Sequence, residues 1–390
     1  MKRLLSCFIL TAVFLAGCRH TEPSNGEKPV ATTPSGTVAT PVPNAIALYL
    51  DDMTLEQKIG QLFIVEAEQL VSQRGAVTAV TEELKENLAH YPVGGVVFFK
   101  ENVQTPDQLL ALIKDLQAAS EIPMFISTDE EGGKVTRLAS NEAFNLPKYQ
   151  SAAAVGSSGN PADALEMGQT IGGYLKTYGL NLDFAPVADV NTNPNNPVIG
   201  TRAFSSNPVI AGQMADAFAS GLRNNQVIAT YKHFPGHGDT AEDSHLGIAV
   251  NHKTKQQLQS CEWIPFQNAG ETDMVMVGHI ALPQVTGDMI PATMSKMIVT
   301  DILKKELMFP GIVITDALNM GAITQTYSPK EAAVNALQAG CDVLLMPENL
   351  TEAYEGVLAA VQDGTLTEEW LDETVYRILK FKQENGILKI

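Results

Sequence analysis

Eight short, apolar, β-rich runs recur along the chain, separated by longer amphipathic stretches. They are QLFIVE (61–66), GVVFFK (95–100), MFISTD (124–129), LNLDFAP (180–186), VIATYK (227–232), MVMVGH (274–279), GIVITD (311–316) and DVLLMP (342–347). A continuous apolar run, unlike an alternating one, suits a strand buried on both faces, which is the situation in a parallel sheet covered by helices. The intervening segments read as those helices. Examples are TPDQLLALIKDLQAAS from Thr105 and ADALEMGQTIGGYLKTYG from Ala162. Eight such units predict the α/β class and a single closed (β/α)8 TIM-type barrel, with surplus length in long loops.

The ends of the runs carry charge. Glu66, Lys100, Asp129, Lys232 with His233, His279 and Asp316 stand at or just past their C-terminal ends. In a barrel these ends converge on one mouth, where crowded charges are either paired or functional. The plainer alternative is that polar residues simply mark where strands stop.

The barrel is expected over residues 45–390. Order begins near DDMTLEQKIGQ, where Thr54 and Gln57 have capping-box spacing. Residues 18–44, rich in Pro, Thr and Ser, have no apolar period and read as a disordered tether. Residues 1–17 read as a signal peptide: MKR is a basic start, and LLSCFILTAVFLA is too short to span a bilayer comfortably. Leu15-Ala16-Gly17-Cys18 resembles the lipobox of bacterial lipoproteins, which implies lipid on Cys18. A plain secretory signal or an anchor helix is the alternative. Arg19, where such proteins carry aspartate to avoid the outer membrane, points to the outer membrane facing the periplasm.

The formal charge of -18 argues against a nucleic-acid partner, which needs a basic footprint. Loss of residues 1–17 removes Lys2 and Arg3, so the mature charge is -18 - 2 = -20. With Cys7 in the signal and Cys18 lipidated, Cys261 and Cys341 remain. Two cysteines make neither a disulfide framework nor a structural zinc site, and both read as buried thiols.

Three of the seven histidines fall in KHFPGHGDTAEDSH (232–245). His233 and His237 have the i, i+4 spacing of helical zinc ligands, but Pro235 and Gly236 between them oppose a helix. The better reading is a loop at the barrel mouth. Asp243 and His245, one residue apart, are able to meet within a turn, where a carboxylate fixes the imidazole tautomer and raises its proton affinity. Spacing alone leaves an acid/base pair and a structural Asp-His bond equally open.

KHFPGHGDT followed by DSH resembles the signature of glycoside hydrolase family 3, in its β-N-acetylglucosaminidase (β-N-acetylhexosaminidase) branch. MTLEQKIGQ, STDEEGGKVTRL, DFAPVADVNTNPNNPVIGTRAF and PATMSKMIVTDILKKELMFPGIVITDALNMGAI resemble further family segments in the expected order, from about residue 50 to the end. The resemblance implies that Asp316 is the catalytic nucleophile and that Asp243 and His245 form the acid/base dyad. It implies that Asp129, Arg137, Arg202, Lys232 and His233 hold sugar hydroxyls, with Met320 lining the same pocket. Glu130 departs from the usual glutamine, and Met308-Phe309-Pro310 from the usual Gly-Phe. β-Glucosidase relatives usually draw their acid/base from a second domain. With the chain reaching Ile390 soon after the eighth run, the DSH loop is expected to supply it here.

The expectation is a retaining exo-β-N-acetylglucosaminidase. Asp316 attacks the anomeric carbon, and His245, oriented by Asp243, protonates the leaving oxygen and then deprotonates water. No metal or organic cofactor is implied. Peptidoglycan fragments are the expected carbohydrate substrate, and a monomer is the default. The alternatives are an inactive sugar-binding or muropeptide-sensing lipoprotein, a phosphorylase or β-glucosidase on the same fold, and a metal-dependent hydrolase.

Overall fold

A computed structural model of the protein describes residues 44–72, 75–241 and 247–390. The readings of residues 1–17, the tether, Cys18, Asp243 and His245 lie outside the described residues.

Each of the eight runs contains a strand. They are β1 (Phe63–Glu66), β2 (Gly95–Phe98), β3 (Phe125–Thr128), β4 (Leu182–Asp183), β5 (Ile228–Phe234), β6 (Met274–Val277), β7 (Ile312–Thr315) and β8 (Leu344–Leu345). All pair in parallel in the order β8-β1-β2-β3-β4-β5-β6-β7. A bridge between Ile314 and Val343, with Thr315 N–H donating to Val343 O at 3.0 Å, brings β7 back to the eighth run. The expected TIM-type barrel is therefore formed. β5 runs two residues past its apolar stretch, because Lys232 N–H donates to Pro186 O and Phe234 O accepts from Gly278 N–H. Lys232 and His233 thus project from strand rather than from loop.

Helices cover the sheet as the periodicity predicts. In Pro106–Ala119 the buried residues Leu109, Leu112, Ile113 and Leu116 form one stripe, and Thr105 caps the first turn. The Thr54–Gln57 capping box opens Leu55–Gly60. Helices Pro161–Thr177 and Pro208–Asn224 approach so closely that a Cβ on Gly168 would lie 2.1 Å from Phe218 O, which requires glycine.

The base of the barrel is laced by one buried cation. Lys382, on helix Glu368–Glu384, donates to Gln61 Oε1 (2.7 Å), Gly94 O (3.0 Å) and Pro123 O (2.7 Å), just ahead of β1, β2 and β3. Its Nζ lies 4.7 Å from the centre of the Phe125 ring. Both cysteines of this region are free; Cys341 is buried as expected, whereas Cys261 is only partly so. Among the described residues no helix is long and apolar enough to cross a membrane.

Candidate active site

A cavity of about 440 Å³ opens at the C-terminal mouth of the barrel. Strand ends and long loops supply its polar groups. Asp129 and Glu131 come just after β3, Lys232 and His233 end β5, and Asp316 comes just after β7. Arg137 and Arg202 come from loops after β3 and β4, and Met320 lies just beyond Asp316. All the sequence-predicted sugar contacts are thus brought together with the predicted nucleophile.

Their charges interlock. Lys232 Nζ stands 2.7 Å from both Asp129 Oδ1 and Glu131 Oε1. Arg202 grips Glu131 with two bonds, Nε to Oε2 at 2.8 Å and Nη2 to Oε1 at 2.6 Å. Arg137 Nη2 donates to Asp129 Oδ2 at 3.2 Å, and its guanidinium lies 5.0 Å from the Phe99 ring centre. Burial pushes the Asp129 and Glu131 carboxyls up, but the neighbouring cations outweigh it and hold both below their ordinary values. Burial likewise lowers Lys232, and the two carboxylates more than reverse this. Arg137 Nε is a buried donor with no hydrogen-bond partner among the described residues.

Asp316 sits at the end of β7, where its N–H donates to Val277 O and its Oδ1 accepts from Ala317 N–H at 2.8 Å. Burial raises its carboxyl, but His233, His279, the Ala317 N–H and Lys232 together bring it below the ordinary value. His279 does not line the cavity. It is buried behind it, with Nε2 2.9 Å from Ala317 O and Nδ1 2.9 Å from Thr293 Oγ1. It therefore braces the residue after Asp316.

His233 and His237 are not a helical pair, since one ends a strand and the other lies in the turn beyond it. Asp189 organises both. Its Oδ2 meets His233 Nδ1 at 2.7 Å, and its Oδ1 accepts from His237 N–H at 2.6 Å. Burial pushes the His237 imidazole down. Among the described residues no group of three or more His, Cys, Asp or Glu side chains is placed to hold a metal ion.

Not every strand-end charge belongs here. Lys100 is exposed beside Glu101, and Glu66 bonds with Gln69 in its own turn. Conversely, Glu131 and Asp189 belong to the site but were not singled out from sequence, and His237 was considered there only as a metal ligand. Glu130 is fully buried outside the cavity, where it accepts from the N–H groups of Arg137, Leu138 and Ala139 and from Tyr174 Oη. It shapes the turn that presents Arg137.

A parallel barrel whose mouth holds a buried carboxylate, kept below its ordinary pKa beside paired polar groups, suits a glycoside-processing enzyme. The chain belongs to glycosyl hydrolase family 3: residues 54–381 match that family's N terminal domain. It is 33% identical to Beta-hexosaminidase A of Pseudoalteromonas piscicida over 85% of this chain and 61% of that protein. It is 35% identical to a Beta-hexosaminidase of Stenotrophomonas maltophilia over 72% of this chain and 85% of that protein. The solved family 3 beta-N-acetylglucosaminidase of Paenibacillus sp. superposes with a TM-score of 0.80 at 34% identity, covering 86% of this chain and 63% of that one. The chain thus spans less than two thirds of the Pseudoalteromonas and Paenibacillus proteins.

Proposed function

We propose that the protein is a retaining exo-β-N-acetylglucosaminidase that releases terminal β-linked N-acetylglucosamine, with peptidoglycan fragments as its substrates. The observation that carries this reading is the state of Asp316. It is ionised by its surroundings and lies on the wall of a cavity where Asp129, Glu131, Arg137, Arg202 and Lys232 are already paired with one another. A carboxylate in that state attacks the anomeric carbon and becomes esterified to the sugar as the glycosidic bond breaks. The leaving oxygen takes its proton from His245, held in the right tautomer by Asp243. His245 then removes a proton from water, whose oxygen displaces Asp316 and restores the free carboxylate. Asp129, Arg137, Arg202, Lys232 and His233 receive the sugar hydroxyls. Lipid on Cys18 would hold the enzyme, as a monomer, at the outer membrane facing the periplasm.

The test is turnover of nitrophenyl N-acetyl-β-glucosaminide with and without chelator, beside the matched glucoside. Cleavage that survives chelator and spares the glucoside supports the reading. Asp316→Asn should lower kcat by about a thousandfold or more with the fold intact. An Asp316→Asn protein that turns over normally would end the assignment.

A further inference from the structure

Asp239 and Lys253 stand on either side of the segment that carries Asp243 and His245, and their side chains pair at 3.0 Å. Lys253 Nζ also donates to Thr192 Oγ1 at 3.2 Å, and that hydroxyl donates to Asp239 Oδ1 at 2.8 Å. Among the described residues the remaining partner of Lys253 is Oε1 of Glu262, a carboxylate with no exposed surface. Glu262 is pressed against the start of the same stretch, since a Cβ on Gly236 would lie 2.6 Å from its Cβ. Asn251 Nδ2 donates to Gly236 O at 3.4 Å, a second tie between the two sides. Neither Lys253 nor Glu262 lines the cavity.

A surface ion pair spanning a loop contributes little, because two flexible side chains must be ordered against screening water. This pair differs in its seat. Glu262 is buried and needs a counter-charge, so the ammonium is held at Glu262 whether or not Asp239 is present. Asp239 and Thr192 then meet a cation that is already fixed. Tying a segment at its base removes conformations from everything between the ties. For a group that must deliver a proton, such placement matters, since a shift of about an ångström costs about a hundredfold in rate.

We propose that the Lys253–Asp239 pair, seated on Glu262, positions the acid/base segment: it fixes where that segment leaves and rejoins the barrel. The proposal rests on the acid/base reading of Asp243 and His245. Lys253 and Asp239 are positioning residues that touch no substrate.

The consequence is read through the leaving group. A 2,4-dinitrophenolate departs without a proton, whereas a phenolate needs one. kcat/KM is measured on both N-acetyl-β-glucosaminides for wild type, His245→Asn, Asp239→Asn, Lys253→Met and Lys253→Arg, with thermal unfolding alongside. Asp239→Asn and Lys253→Met should each lose at least about tenfold more on the phenyl than on the dinitrophenyl substrate, in parallel with His245→Asn. Lys253→Arg should recover most of the loss. Asp239→Asn leaves Lys253 on Glu262, so it reports even where Lys253→Met fails to fold. Equal losses on both substrates for Asp239→Asn, with His245→Asn still discriminating, would overturn the positioning role and leave the acid/base reading standing. A His245→Asn protein that does not discriminate would instead overturn the acid/base reading and the positioning role with it.

Discussion

Replacing Lys382 with methionine should make the protein's stability depend differently on pH, by an amount the structure sets. Burial pulls the Lys382 ammonium from 10.5 down to about 7. Its three N–H groups meet three acceptors at the starts of β1, β2 and β3, so the protonated form fits the site and the cost is desolvation. Below about pH 7 the group is protonated in both folded and unfolded chains, and its titration leaves stability unchanged. Between there and the unfolded value the unfolded chain holds the proton and the folded one does not, so stability rises with pH. The slope is about 1.4 kcal/mol per pH unit, or roughly 3 kcal/mol between pH 7 and 9.5. Methionine fills the same channel without titrating, and it strands the three acceptors at about 1–3 kcal/mol each. Other ionisable groups titrate in both proteins and cancel in the difference. Urea unfolding of wild type and Lys382→Met across this range should therefore diverge steadily, wild type gaining on the variant as pH rises. Parallel curves would refute the reasoning, because Lys382 would then keep its proton despite complete burial.

Asp189→Asn preserves shape but removes the charge that holds His233 and the His237 backbone. By analogy with the carboxylates that orient metal-binding histidines, it should lower kcat/KM by about ten- to a hundredfold in the nitrophenyl assay. Arg202→Met strips Glu131 of its two-bond partner and leaves a buried carboxylate on Lys232 alone. The expected cost is about 3 kcal/mol of stability, read by urea unfolding, together with a raised KM. Met308 is exposed and sits at φ 55, in the left-handed region that favours glycine. Met308→Gly should therefore stabilise the fold by about 1 kcal/mol, seen as a higher Tm with unchanged kcat.

The barrel was legible because a strand buried on both faces leaves a continuous apolar run, and each of the eight runs contains its strand. Part of the site was legible for the same reason, since Asp129, Lys232, His233 and Asp316 are the polar residues that terminate apolar runs. The same rule overreached at Lys100, which ends its run by turning into solvent. Asp189 escaped notice, and His237 was weighed only as a metal ligand, because their roles come from a meeting of two distant segments. The Asp189–His233 pair joins residues 44 apart in sequence. Glu131 carried a usable signal. In an extended segment residues i and i+2 face the same way, so Glu131 projects beside Asp129, and both reach Lys232. Glu130, between them, faces inward and is buried.

The arrangement of ion pairs in the pocket explains how one carboxylate is left without a bonded cation among so many charges. Arg137, Arg202, Lys232 and the exposed Lys134 oppose Asp129, Glu131 and Asp316, four cations against three carboxylates. Two of those carboxylates are in direct contact with the cations. Among the described residues Asp316 has no such contact. What keeps it ionised is spread over His233, His279, the Ala317 N–H and the more distant Lys232, acting against burial. The distinction is chemical. A guanidinium or ammonium bonded to the proposed nucleophile would lower its energy in the free enzyme and have to be displaced before attack. The field of the two imidazoles and Lys232, with the single Ala317 N–H on Oδ1, favours the anion and leaves Oδ2 without a bonded cation among the described residues. A neutral sugar gains little from net charge, so recognition falls to the geometry of hydrogen-bonding groups, and Asp129 and Glu131 keep those groups in place.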